Sequence, residues 1–430
     1  MPTSPAEDAA PPPCATPPRL LALAAFRFPH GDAISNRLLQ LARSATPPGT
    51  PTLVVNDWPD DGTRPPADPP LPPGVRLISL GGGAHGPLAR WLRRRARPLR
   101  VLTALRRAGV RPRDLTGVYL PLSLWDLTTW AVFRSATRCP VTVDVLERHD
   151  PEQFPRGRLT PYFLRHRWSL FLAGRLADRV IAVSETIAGH FVRCDRPTLV
   201  VPPQVDLAEH SAPAAPPPLA EGVRLLYAGS AGPKDLLSVV LAGVRGLPRA
   251  ERDRVHLVIA GFDRDRAASL SDLDEGLLTE LADRITFLGR VPRDRVLAEL
   301  RRSHFSVLVR PLAGYAQAGF PSKVPESLAA GCPVLLNSTS DLGRYVVDGR
   351  EGLVLAGPTA DDVRNGLARA LALDDAAWRA MSRAARERAG SFDYRLWAPV
   401  VSAFVAGPGA APDGAPARSA SAASSSGVSR

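Results

Sequence analysis

At 430 residues, 45% of them apolar and 22% charged, the chain is long enough for two cores of ordinary size. Its formal charge of +12 favours anionic partners: phosphates, anionic lipid or nucleic acid. Four scattered cysteines with no Cys-x-x-Cys pair argue against a disulfide scaffold and a structural metal. The absence of any run of ~18 apolar residues, and of a signal-type N-terminus, leads us to expect a cytoplasmic protein.

In chain order, residues 1–18 read as a Pro- and Ala-rich tail that buries too little apolar surface to offset its chain entropy. LLALAAF (20–26) reads as a strand, followed by the loop FPHGD and a helix over 33–45. TLVVN (52–56), VRLISL (75–80) and GVYLPL (117–122) read as further strands. Between the last two, ten Arg from Arg90 to Arg113 interleave with Trp91, Leu92, Leu99, Val101, Leu102 and Leu105. VTVDV (141–145), a helix near 160–177, RVIAVS (179–184), a helix over 185–192 and TLVVPP (198–203) complete a first domain over 19–205. A proline-rich stretch, 206–221, reads as a linker.

The alternation then restarts as VRLLYAG (223–229), a helix (236–247), VHLVIAG (255–261), ITFLG (285–289), a helix (292–303) and FSVLVRP (305–311). CPVLLN follows, then helices over 361–372 and 376–390, giving a second domain over 222–390. Residues 391–406 read as a final helix and 407–430 as a second tail. Strands alternating with helices in two series predict two Rossmann-like α/β domains with parallel sheets.

All but two of the 54 basic residues are Arg; the exceptions are Lys234 and Lys323. Both fall where a strand-like run meets a helix-like one. In FPSKVPESLAAGCPVLLN (320–337), Ser322 is placed to cap a short helix from Lys323, Pro325 is tolerated in its first turn, and Gly331 with Pro333 ends it. Lys323 and Glu326 share the positive end of that helix. An ammonium with exposed amides suits phosphate, and a carboxylate one turn on suits paired sugar hydroxyls, the two features of a nucleoside diphosphate. A capped, solvated helix start accounts for the same residues. In YAGSAGPKDLL (227–237) a strand ends at Gly229, a glycine turn follows, and a helix opens at Lys234 and Asp235. That is the layout of a phosphate cradle, or of an ordinary turn. Two lysines at two such places favour the cradle, because a compact ammonium and a planar guanidinium are not interchangeable at a tight site.

Taken together, LLYAGSAGPKDLL, VHLVIAG, ITFLGRVP, LVRPLAGYAQAGFPSKVPESLAAGCPVLLN and DGREGLVL resemble the nucleotide-sugar-binding domain of retaining GT-B glycosyltransferases of the family 4 type, over residues 223–372. ADRVIAVSETI and LVVPPQVD resemble the close of the first domain in such enzymes. The resemblance implies a GT-B fold, two Rossmann-like domains facing each other across a cleft. It implies no cofactor, the nucleotide-diphospho-sugar donor being a substrate. It assigns the donor ribose to Glu326, the diphosphate to Lys234, Lys323 and the Gly229–Ser230 turn, and a further donor-side role in catalysis to Arg310. FRFPHGDAISNRLLQLA resembles the glycine loop after the first strand, which brings Gly31 and Asp32 to the cleft; a plain turn is the other reading. Glu147 and His149, after Asp144, stand on the acceptor side as catalytic candidates or in a solvated loop. The final helix resembles one that crosses back onto the first domain. Two departures stand out: Ala318 occupies the place of a second Glu eight residues before the ribose Glu, and Ser230 the place of a phosphate-loop Arg.

The expected partners are a nucleotide-sugar donor and a glycan, glycolipid or small-molecule acceptor in polysaccharide or cell-envelope assembly. Arg90–Arg113 is read either as a basic amphipathic element on an anionic membrane surface, on the inner face of the cell membrane, or as a solvated arginine face. No nucleic-acid module accompanies it, and no Asp-x-Asp ends a strand, so neither nucleic acid nor a metal is expected. A nucleotide-sugar epimerase of the same fold and a non-catalytic arginine-rich binder are the rivals. A nicotinamide dehydrogenase is disfavoured, because PHGDA stands where Gly-x-Gly-x-x-Gly would be.

Overall fold

The computed structural model describes residues 20–406, apart from 25, 27, 30–32, 46–50, 59–70, 72, 81–85, 124–128, 130, 132, 133, 135–138, 231–233, 271, 272 and the side chains of 87, 90 and 94. Two sheets organise the chain. The first has seven strands in the order β3-β2-β1-β4-β5-β6-β7. These are β1 (Leu20–Ala24), β2 (Thr52–Asn56), β3 (Val75–Ser79), β4 (Gly117–Pro121), β5 (Val141–Val145), β6 (Arg179–Ala182) and β7 (Thr198–Val200). The second has six, in the order β10-β9-β8-β11-β12-β13. These are β8 (Val223–Ala228), β9 (Val255–Ala260), β10 (Ile285–Phe287), β11 (Phe305–Leu308), β12 (Val334–Asn337) and β13 (Gly352–Leu355).

Every pairing within the two sheets is parallel. Parallel strands need crossover helices on both faces, which is why β1, β2 and β5 are buried along their whole length and read as continuous apolar runs. In both sheets the order reverses beside the first strand, between β1 and β4 and between β8 and β11. Loops leaving the carboxyl ends there border the ligand crevice of such sheets.

The domains meet through shared packing. Ala318 and Phe320 belong to one apolar cluster with Val145, Ile187 and Phe392. The Ser184 hydroxyl donates to the Ala318 carbonyl at 2.5 Å. The Glu185 amide donates to Asp341 Oδ2 at 2.9 Å, and Arg344 pairs with Glu185 at 2.6 Å. The last helix, Tyr394–Ala406, lies on the first domain: Val401 and Val405 are buried with Leu20, Leu41 and Tyr119.

The connection over 206–221 is tied to the second domain. Arg386 donates to the His210 carbonyl at 2.5 Å, the Ala215 amide donates to Arg301 O at 2.8 Å, and the Leu219 amide donates to Asp375 Oδ1 at 2.9 Å. Prolines leave few donors there, so the second domain supplies partners for the remaining polar groups.

The arginine-rich stretch forms two helices, α2 (Pro87–Arg95) and α3 (Arg97–Arg107). Three of its arginines turn inward onto one carboxylate: Arg93, Arg97 and Arg100 lie 3.2, 3.7 and 2.6 Å from Asp57. Val101 and Leu105 are in the core, while Leu88, Trp91, Leu92 and Leu99 are exposed.

Candidate active site

β8 ends at Ala228, and the Gly229 amide then donates to Ala260 O at 2.8 Å, holding the ends of β8 and β9 together. Gly261, at φ +130°, faces Gly229 so closely that a Cβ on it would collide with the Gly229 carbonyl. A Cβ on Gly229 would strike the end of the Lys323 side chain. Glycine at 229 thus leaves room for the lysine from the other motif: both of the chain's lysine sites converge on the end of β8.

Asp235 organises this convergence. Its carboxylate accepts from Lys323 Nζ, from Arg310 Nε at 3.1 Å and from the Tyr227 hydroxyl at 3.0 Å. Lys323 Nζ also lies 4.4 Å from the centre of the Tyr227 ring. Burial would push the Asp235 carboxyl up, but Lys323 and Arg310 outweigh it and hold its pKa at about 2. Burial lowers the pKa of Lys323 more than Asp235 restores it. Arg310 is pinned at its backbone by Asn337, at the end of β12, whose side chain accepts from the Arg310 amide and donates to its carbonyl, both at 2.8 Å.

Lys234 crosses the cleft to the first domain, where its Nζ lies 2.6 Å from Glu147 Oε1. It does not open a helix: the chain turns at 234–235 and the helix runs Leu237–Arg245. The Glu147 pKa is lowered, burial opposing and Lys234, His149 and Arg310 prevailing. His149 is half-buried, with Nδ1 3.2 Å from Gln153 Oε1 and Nε2 3.5 Å from Glu147 Oε2. Its ring packs edge-on against His166 at 4.5 Å. Burial first, and then Lys234, keep its pKa below the usual range despite Glu147, so the imidazole is neutral at pH 7.

Lys323–Ala329 is the expected short helix, closed by Gly331 at φ +73°, but Ser322 makes no side-chain cap and is itself helical. Glu326 is engaged by Arg293 Nη1 at 3.1 Å and by Asn36 Nδ2 at 3.4 Å, the latter from α1 (Ala33–Ala45) of the first domain. The Ser230 side chain is exposed, and its carbonyl accepts from the Tyr227 hydroxyl at 3.3 Å. Ala318 is fully buried in the interdomain cluster, so the position that lacks a carboxylate has no room or water for one. Gly31 and Asp32 lie outside the described residues; Ala33 and Ile34 after them line the cleft.

Lys234, Arg310, Lys323, Glu147, His149 and Ser322 line one cavity of about 500 Å³, a size typical of small-molecule sites. Glu326 stands one turn beyond Lys323 and is not among the lining residues. Three residues that matter here were missed as site residues: Asp235, Asn337 and Arg293. Asp235 was adjacent to Lys234 in the sequence; only the pairing of β8 with β11 shows that it serves Lys323 and Arg310 instead.

Residues 217–388 match the family model described as Glycosyl transferases group 1. No curated protein matches the sequence. Among solved structures, sucrose-phosphate synthase from Thermosynechococcus elongatus is 19% identical, with a TM-score of 0.66 over 88% of this chain and 96% of that one. Anabaena Alr3699/HepE, solved with UDP and glucose, is 16% identical, with a TM-score of 0.63 over 89% and 98%. WaaG, a glycosyltransferase involved in lipopolysaccharide biosynthesis, is 16% identical, with a TM-score of 0.63 over 90% and 100%. Two facing parallel-sheet domains, with the cations gathered in the matched one, complete the description: the chain has the GT-B fold, and residues 217–388 within it match the glycosyl transferases group 1 model.

Proposed function

We propose that the chain transfers a glycosyl group from a nucleotide-diphospho-sugar to an acceptor hydroxyl, with retained configuration, in polysaccharide or cell-envelope glycan assembly. The observation that carries this reading is the convergence of Lys323, Arg310 and Lys234 on one cleft at the carboxyl ends of β8 and β11. A diphosphate set there meets an ammonium and a guanidinium already positioned by Asp235. Glu326 then receives the ribose hydroxyls by exchanging partners with Arg293. The acceptor hydroxyl bonds to the anomeric carbon, the bond from that carbon to the diphosphate oxygen breaks, and the nucleoside diphosphate leaves with the electron pair and takes up the hydroxyl proton. Cations at the leaving group stabilise the charge that develops there. With three of them in place the reaction needs neither a cofactor nor a divalent ion, and turnover survives excess EDTA.

Similar structures were solved with UDP and glucose, UDP-glucose, and UDP-2-fluoro glucose, which makes uridine donors the first to try. Glu147 and neutral His149 face the acceptor side and orient its hydroxyl. The outward apolar residues of α2 and α3, with the exposed Arg95, Arg106, Arg107, Arg111 and Arg113, are the part of the arginine-rich stretch left for an anionic membrane surface, since Arg93, Arg97 and Arg100 are occupied by Asp57.

A thermal-shift screen against UDP-, GDP- and dTDP-sugars, repeated with Glu326→Ala, tests the donor site. Stabilisation by one nucleotide that the variant loses supports it; no stabilisation by any of them contradicts it. Incubation with the donor alone separates the epimerase, which would isomerise the sugar without an acceptor.

A further inference from the structure

Beside the donor cleft lies a second, larger cavity of about 770 Å³, built entirely from the first domain between the loop after β5 and the helices Pro161–Leu176 and Glu185–Val192. The two spaces meet at Arg148 and His149, which line this cavity and also stand with Lys234 and Arg310 around the cleft floor. Six arginines line it, Arg148, Arg158, Arg167, Arg175, Arg193 and Arg196, against one acid, Asp150.

Arginines elsewhere in the fold find acids; Asp57 alone takes three. Among the described residues, no carboxylate lies within ion-pair distance of any of these six. Arg175 stacks on Phe171 at 4.7 Å, and Arg196 donates to the carbonyls of Gly174 and Ala177 at 2.9 and 3.2 Å. The guanidinium groups of Arg148, Arg158, Arg167 and Arg193 have no protein acceptor within hydrogen-bond distance among the described residues. Like charges gathered around a concavity repel one another, and a bound anion relieves that repulsion. The field is felt by His190 on the wall, whose pKa is lowered by burial first and then by Arg193 and Arg148. The lining also has an apolar part, Phe163, Leu170 and Phe171, on the helix that carries Arg167 and Arg175. On the same helix Trp168, 58% exposed, packs edge-on against Phe171 at 5.7 Å. Apolar rings and unpaired guanidinium groups thus line one concavity side by side, Arg175 resting on Phe171 itself.

We propose that this cavity is the acceptor subsite and takes an organic phosphate: a phosphomonoester or diphosphate whose anionic group lies among the arginines and whose apolar segment lies along Phe163, Leu170 and Phe171. The inference rests on the donor-cleft reading, because it is the shared wall at Arg148 and His149 that makes the occupant an acceptor.

The test titrates farnesyl diphosphate, farnesol and inorganic pyrophosphate calorimetrically, below the concentration at which the amphiphile forms micelles. The proteins are the full chain, Lys323→Ala, and the triple variant Arg158→Gln/Arg167→Gln/Arg193→Gln, whose altered side chains are exposed. Farnesyl diphosphate is expected to bind the wild type and Lys323→Ala alike and the triple variant at least ~10-fold more weakly, as loss of charge-assisted contacts requires. Tighter binding of farnesyl diphosphate than of pyrophosphate upholds both the arginine and the apolar contacts; equal binding of the two overturns the apolar half of the proposal. Equal binding to the wild type and the triple variant, farnesol as tight as its diphosphate, or no binding by the wild type overturns it. A UDP titration of the same three proteins separates the two readings. Nucleotide binding lost in Lys323→Ala and kept in the triple variant supports the donor cleft; its absence everywhere, with farnesyl diphosphate still bound, overturns the donor reading alone.

Discussion

Asp235 holds Lys323 and Arg310 in the positions that the donor reading requires, so its removal separates position from charge. Asp235→Asn keeps both cations but releases them; nucleotide affinity is expected to fall about 10-fold, read by calorimetry, the scale of a displaced charge-assisted contact. The same carboxylate gives a pH signature. Its folded-state pKa, about 2, lies below the ordinary ~3.9. Its stabilisation is therefore full above about pH 4 and lost as the pH falls towards 2. Denaturant unfolding from pH 5 to pH 2 should show a decline in wild-type stability that Asp235→Asn lacks over that window. Gly229→Ala is a second residue-scale probe. Its Cβ meets the flexible end of Lys323, so the lysine is displaced while the strand is kept. Nucleotide binding falls at least ~10-fold with a change in unfolding free energy within ~1 kcal/mol.

At the scale of elements, α2 and α3 are held by Asp57 and not by propensity alone. Asp57→Ala leaves Arg93, Arg97 and Arg100 without their acid at a side chain that is 8% exposed, and should cost ~2 kcal/mol in denaturant unfolding. No sequence signal linked residue 57 to that stretch, because the contact is made across a gap in the chain that the β2–β3 pairing closes. The strands themselves were legible: in parallel sheets buried on both faces they are unbroken apolar runs, and 52–56 and 141–145 need no adjustment. Helix starts were less so. Lys234 and Asp235 looked like a first turn, but their side chains leave in opposite directions, one to Glu147 and one to Lys323, and the helix waits until Leu237. Legible in the same way were Lys323, one of the chain's two lysines, and Gly229, which ends an apolar strand-like run. Asp235 and Asn337 were not, since ordinary polar residues acquire their roles only when β8, β11 and β12 lie side by side.

Across the whole molecule, the Lys234–Glu147 pair and the Asn36–Glu326 contact put donor-side residues of one domain in touch with the other before any ligand arrives. A diphosphate must compete with Glu147 for Lys234. Glu147→Gln should therefore tighten nucleotide binding by about 2–5-fold, the worth of an exposed ion pair, while turnover falls because the acceptor side loses its carboxylate. A simple structural role would move neither quantity in opposite senses. The account's central claim is that Lys323, brought onto the end of β8 beside Arg310, holds the donor diphosphate. Calorimetric titration of UDP-, GDP- and dTDP-sugars into the wild type and Lys323→Ala tests it most directly. The account predicts saturable binding of one nucleotide sugar that weakens at least ~10-fold in the variant. Equal affinity in the two proteins, or no binding of any nucleotide sugar to the wild type, would contradict it.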